Sequence, residues 1–196
     1  LHIKACGGWS NQLLELARSK KDVPVFIEGP YGSLSLDIEA KRYEMVFLVA
    51  GGIGVTPCRS IAKSILHAAE QGQRKLKNLQ FVWVVPDMDL PAGMGPPVID
   101  NFQSLTNRGP TIGMGNEHQP DELKPVVNLS MYVTKSSNIT SVLRNGVKIM
   151  KGRPDFYRMV ADIKECAVQG NVTHVAVFGC GPKTLLDDLK DACRQH

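Results

Sequence analysis

Apolar residues fall along this chain in short solid blocks separated by stretches of helical period. "MVFLVA" (45–50) is apolar at every position, which predicts a strand covered on both faces. After it Cys58, Ile61, Ala62, Ile65, Leu66 and Ala69 recur at helical spacing and form one stripe. Thr56 is placed to cap that helix, Pro57 to take its first position and Gly72 to end it. "LQFVWVV" (79–85) predicts a second strand, and Val98, Ile99, Phe102 and Leu105 predict a helix ended near Gly109. Residues 86–125 are rich in Pro and Gly and predict a long surface loop.

"LSMYV" (129–133) reads as a third strand. Phe156, Met159, Val160, Ile163 and Ala167 form a helical stripe stopped by Gly170. "VTHVAVFG" (172–179) is a further strand, after which Pro182 opens a helix with Leu185, Leu186, Leu189, Ala192 and Cys193 on its inner face. Strands alternating with helices predict an α/β fold with a doubly wound parallel sheet. Residues 1–38 differ in character: "LHIKA", a helix-capable "SNQLLELARS" and a strand-like "VPVFIEGPYG" do not repeat the strand–helix unit. They read as the end of a preceding β domain, with 39–196 as the second domain. That domain closes on a helix where another strand would be expected, so it reads as truncated before its last strand.

Charge and cysteine usage narrow the chemistry. The formal net charge of +4 is spread over the 196 residues without a basic block, which speaks against nucleic acid as a partner. The five cysteines and five histidines show neither CxxC nor metal-ligand spacing, so neither a disulfide framework nor a metal is expected. The longest near-apolar run, 45–55, is well short of the ~20 residues of a membrane span. The chain is expected to be soluble as it stands.

Three loops carry candidate chemistry. Gly51, Gly52 and Gly54 follow the first strand and precede a helix, where backbone amides and the helix dipole suit a pyrophosphate. Pro57 stands where the usual dinucleotide fingerprint has its third glycine. "EGPYG" (28–32) offers a second close-approach backbone, and "FGCGP" (178–182) repeats strand, glycine turn and helix. In open α/β sheets, ligands bind at those strand ends. Each loop alone is also compatible with a simple turn, and a lone Cys180 with a small buried hydrophobe. No Ser-His-Asp or Cys-His arrangement is present to suggest a covalent nucleophile.

Together "EGPYG", "AGGIGVTP" and "FGCGP" resemble the ferredoxin-NADP reductase superfamily. "GGWSNQLLELA" (7–17) and "MKGRPDF" (150–156) are similar to the NAD(P)-binding dehydrogenase region of the ferric reductase/NADPH oxidase family. The resemblance spans nearly the whole chain and is weakest over 86–125. It implies a ferredoxin reductase-like NADP-binding domain, preceded by the tail of a β-barrel flavin domain. Gly51, Gly52, Ile53, Gly54, Val55, Thr56 and Pro57 would then line the pyrophosphate and nicotinamide side of NADPH. Cys180, Gly181 and Pro182 would border the nicotinamide, with Cys180 next to the carbon that gives up hydride. Glu28, Gly29, Pro30, Tyr31 and Gly32 would lie at the flavin–nicotinamide junction. Trp9, Ser10 and Asn11 would approach the FAD diphosphate through a helix N-terminus capped by Ser10. Arg153 would reach a 2′-phosphate, a group that guanidinium geometry suits.

The resemblance is incomplete in two respects. Where relatives carry an arginine after the second strand, this chain has Pro86 and Asp87. An acid there could hold a ribose 2′-hydroxyl and favour NADH, or could be a solvated loop carboxylate. The family's flavin-binding His-Pro-Phe-Ser/Thr motif and haem-bearing helices are also absent, so the chain reads as a piece of a longer membrane enzyme. Its expected partners are an FAD domain and a haem-bearing membrane domain of the same polypeptide, and its expected location is the cytoplasmic face of that membrane. The expected activity is hydride delivery from NADPH to FAD, with electrons passing by haem to ferric iron or oxygen. A soluble flavin-linked reductase of the same superfamily and a nucleotide-binding regulatory module are the alternatives.

Overall fold

The computed structural model describes residues 3–19, 22, 24, 26, 28–29, 37–93, 125–135, 142–144 and 147–196. The chain divides into two compact units, residues 1–37 and 38–196. In the first, Gly8–Arg18 forms α1. Ser10 is not its cap: Gly7 takes that position, and the Ser10 hydroxyl reaches back from inside the first turn to accept from the Cys6 and Gly7 amides. The reason is geometric, since Gly7 is extended while Ser10 already has helical backbone. Within "VPVFIEGPYG" only Pro24, Phe26, Glu28 and Gly29 are described, and they belong to no helix or strand.

The second unit is a layered α/β structure. Its elements are β1 (Met45–Gly51), α2 (Val55–Glu70), β2 (Asn78–Val85), α3 (Asp89–Gly93), β3 (Val126–Val133), β4 (Val142–Arg144), β5 (Val147–Lys151), α4 (Phe156–Gln169), β6 (Val175–Cys180) and α5 (Lys183–Gln195). Among the described residues the sheet runs β4-β5-β3-β2-β1-β6. All pairs are parallel except β4 with β5. The helix expected over 98–109 lies outside the described residues, as does most of the expected loop.

β1 is buried along its whole length, and its side chains alternate between two cores. Val46, Leu48 and Ala50 face a cluster that contains Cys58, Ile61, Ala62 and Ile65 of α2. Met45, Phe47 and Val49 face a second cluster with Phe156 and Ile163 of α4 and Leu189 and Ala192 of α5. Helices therefore cover both faces, which is why this strand is apolar without alternation. Each large side chain withdrawn from water there contributes about 1.5–3 kcal/mol.

Two helix ends depart from expectation. α2 begins at Val55, directly out of a 3-10 turn at Gly52–Gly54. Thr56 and Pro57 thus occupy the second and third helical positions. The 3-10 turn has already wound the chain into helical backbone, leaving Thr56 no extended position from which to cap. Its hydroxyl donates to the Ile53 carbonyl at 3.1 Å. Pro57 still falls in the first turn, where a missing N–H costs no helical bond. At the other end Gly72 takes the left-handed turn after α2, with φ +67°. After α4 that conformation falls to Asn171, φ +51°, one residue beyond Gly170.

The edge hairpin β4–β5 was not expected. Its signal is Asn145-Gly146 between "VLR" and "VKIM", the dipeptide that two-residue hairpin turns favour.

Candidate functional site at the carboxyl edge of the sheet

The chain runs outward from β1 through β2, β3 and β5 on one side, then returns to place β6 on the other. The strand order therefore reverses between β1 and β6, and a crevice opens outside the carboxyl ends of strands at such a point. Register brings Ala50 beside Cys180. The loops "GGIG" and "GCGP" accordingly leave the sheet side by side.

Their glycines serve contact between the loops. A Cβ on Gly51 would come within 2.5 Å of Pro182 Cδ, and one on Gly181 within 2.9 Å of the Gly51 backbone. A Cβ on Gly54 would collide with the Cys180 carbonyl and lie 3.2 Å from its sulfur. Gly52 differs: the nearest atom to its Cβ position is Leu90 Cδ2 at 3.9 Å, and its φ of +55° is the reason for glycine. Three glycines thus let the two loops interlock, and the fourth permits the turn that opens toward solvent.

Side chains fasten this turn from below. Trp83 of β2, 2% exposed, donates its indole N–H to the Gly52 carbonyl at 2.9 Å. The Val55 amide closes on the carbonyls of Gly52 and Ile53, and Thr56 takes the Ile53 carbonyl as well. Cys58 lies beneath, its thiol directed at the Val49 carbonyl at 3.5 Å. Burial first, then the neighbouring Cys180, push that thiol up to about 12, so it stays protonated and inert. Cys180 itself is half-buried at the end of β6. Pro182 caps α5, whose first turn begins at Lys183.

Farther along the same edge, Gly152 ends β5 with φ +97° and donates to the Val133 carbonyl at 2.9 Å. Arg153 follows, exposed. Asp155 then caps α4, accepting from the Arg158 amide at 3.1 Å. β5 lies three strand spacings from β1, roughly 14 Å at ~4.8 Å each. A ligand reaching from the glycine loops to Arg153 would have to lie across β2 and β3. Asp87 follows β2 on this edge, and one oxygen of its carboxylate accepts from the Asp89 amide at 3.0 Å where α3 starts. The same carbonyl edge is stapled by Lys135, whose amide donates to the Pro86 carbonyl at 2.8 Å.

Of the residues singled out in the sequence, 51–57 and 180–182 come together and Arg153 stands apart on the same edge. Trp9, Ser10 and Asn11 sit at the start of α1 in the other unit, with Trp9 69% exposed. Glu28 and Gly29 are exposed in that unit, Gly29 with φ +141°. Pro30, Tyr31 and Gly32 lie outside the described residues. Trp83 and Asp155 were missed. A single indole in an aliphatic strand is the available signal for the first, since a buried Trp N–H needs an acceptor.

Known proteins match this chain closely enough to classify it. The family of the ferric reductase NAD binding domain matches residues 43–91 and 100–194. NADPH oxidase 1 of Rattus norvegicus is 30% identical over the whole chain, which covers 35% of that protein. NADPH oxidase 4 of Homo sapiens is 27% identical over the whole chain, covering 34% of it. Dual oxidase 2 of Homo sapiens is 27% identical over 99% of the chain and 13% of its own length. The chain thus spans about a third or less of these relatives. Among solved structures, a flavohemoglobin from Malassezia yamatoensis with bound FAD and haem aligns over the whole chain and 39% of its own. Its TM-score is 0.52 at 16% identity, a likeness of fold.

Proposed function

Because the chain belongs to the ferric reductase NAD-binding domain family, we propose that it binds NADPH across the carboxyl edge of its sheet and presents it to FAD. When bound, the nucleotide would supply a hydride and FAD would accept it. In the whole protein the electrons would go by way of haem to ferric iron or oxygen. Residues 39–196 are the nucleotide domain in this reading, and 1–38 the end of the FAD-binding barrel. The domain stands at the cytoplasmic face of a membrane, joined to an FAD domain and a haem-bearing membrane domain of the same polypeptide. Among the described residues no helix is long and apolar enough to cross a membrane.

One observation carries the reading: two glycine loops meet on neighbouring strand ends where the strand order reverses. The open turn at Gly52–Gly54 and the first turn of α2 form a cradle for the pyrophosphate. Cys180, Gly181 and Pro182 form the wall against which the nicotinamide stacks, with Cys180 beside the reacting carbon. Arg153 takes the 2′-phosphate at the far end. Trp9, Ser10, Asn11 and residues 28–32 attend the flavin. No side chain has to give or take a proton, so the protein acts by position and by excluding water.

The test is anaerobic stopped flow on the protein with its flavin domain. NADPH is expected to bleach FAD within the turnover time. Nucleotide binding without bleaching would reduce the domain to a regulatory module.

A further inference from the structure

We propose that Trp83 is a positioning residue for nucleotide binding: by holding the Gly52 carbonyl it aims the Ile53 amide at the phosphate. The inference rests on the reading of this edge as the nucleotide site, and it concerns a residue buried beneath that site. A trans peptide places C=O and the next N–H on opposite sides of one plane. Trp83 draws the Gly52 carbonyl inward at 2.9 Å, so the Ile53 N–H is turned outward. Val55 and Thr56 hold the Ile53 carbonyl, which fixes the following peptide of the turn. The Ile53 amide is thereby oriented in advance, next to the first turn of α2. Such an outward amide beside a helix N-terminus suits an anion.

Trp83 suits this task because it cannot move. Its strand is paired on both sides, with Ala50 and Met131 as register partners. Its ring belongs to the same packed cluster as Val55 and Cys58. The Gly52 peptide, by contrast, has room around it and a left-handed φ, so packing alone does not fix its plane. The far end of the turn needs no such help, since Gly54 is seated against Cys180. On the near end the indole supplies the side-chain restraint, added to the Val55 amide on the same carbonyl.

The experiment compares the full chain with Trp83→Phe and with an isostere carrying benzothienylalanine at 83, which keeps the shape and loses the N–H donor. NADPH titration well below the unfolding temperature is paired with amide hydrogen exchange at residues 52–55 in the absence of nucleotide. Both variants are expected to bind NADPH about tenfold more weakly, the usual weight of one buried hydrogen bond. Exchange at Val55, whose amide donates to the Gly52 carbonyl, is expected to accelerate while the rest of α2 is unchanged. 5-Fluorotryptophan, which retains the N–H, is expected to restore both. A lowered melting temperature with unaltered affinity and exchange would overturn the proposal and leave Trp83 a packing residue. If the original chain failed to bind NADPH at all, the nucleotide reading would fall; faster exchange in the variants would still support the orienting role, and unchanged exchange would remove that too.

Discussion

Gly54 rests against the carbonyl of Cys180 with no space for a side chain between them. The loop after the first strand and the loop after the last are therefore one structure, although these two residues lie 126 positions apart in the chain (180 − 54).

Gly54→Ala tests that contact. The obstructing atom is backbone at the carboxyl end of β6, so relief requires moving that strand or the 3-10 turn. A loss of about 2–3 kcal/mol is expected in urea unfolding, as for other overpacked cores. Gly52→Ala, with open space but a left-handed φ, is expected to lose only about 1 kcal/mol. Equal losses would mean that the loops separate easily.

Arg153→Ala addresses nucleotide choice. Loss of the guanidinium is expected to weaken NADPH about tenfold, the lower range for a hydrogen bond to a charged group, and to leave NADH unchanged. Calorimetric titration with both nucleotides measures this. A preference for NADPH that survives the substitution would place the 2′-phosphate elsewhere.

Cys180→Ala separates chemistry from binding. In the protein with its flavin domain, the rate of flavin reduction by NADPH is expected to fall by a larger factor than the affinity. Stopped-flow rates at saturating nucleotide provide the first number and titration the second. An unchanged rate would remove Cys180 from the neighbourhood of the reacting carbon.

Cys58 predicts an alkaline limit to stability. Its thiol titrates near 12 when folded, against an ordinary 9.0 when unfolded. Below 9 neither state loses the proton and stability is unaffected. Between 9 and 12 the unfolded chain gives up a proton that the folded one keeps, so stability falls by about 1.4 kcal/mol per pH unit. Cys58→Ala is expected to flatten that slope in unfolding measured from pH 8 to 11. The same burial predicts that iodoacetamide labels the exposed Cys6 and Cys166 and spares Cys58 until the protein unfolds.

Apart from α3 and the edge hairpin β4–β5, the order of the described strands and helices was legible in the sequence because burial on two faces leaves a plain trace. Residues 45–50 are apolar at every position since cores lie on both sides, and Cys58, Ile61, Ala62 and Ile65 repeat at helical period since one face of α2 is covered. The glycine loops were legible as loops, and their place after strands pointed to the carboxyl edge. Three things were decided only by the fold. Neighbouring loops gave Gly51, Gly54 and Gly181 their reason for being glycine, because that reason is a contact between segments far apart in sequence. The 3-10 turn moved the start of α2 ahead of Thr56, because winding at a helix entrance depends on what holds the preceding carbonyls. Trp83 beneath Gly52 left no periodic signal, because a single hydrogen bond across strands depends on register, which is set when β2 pairs with β1.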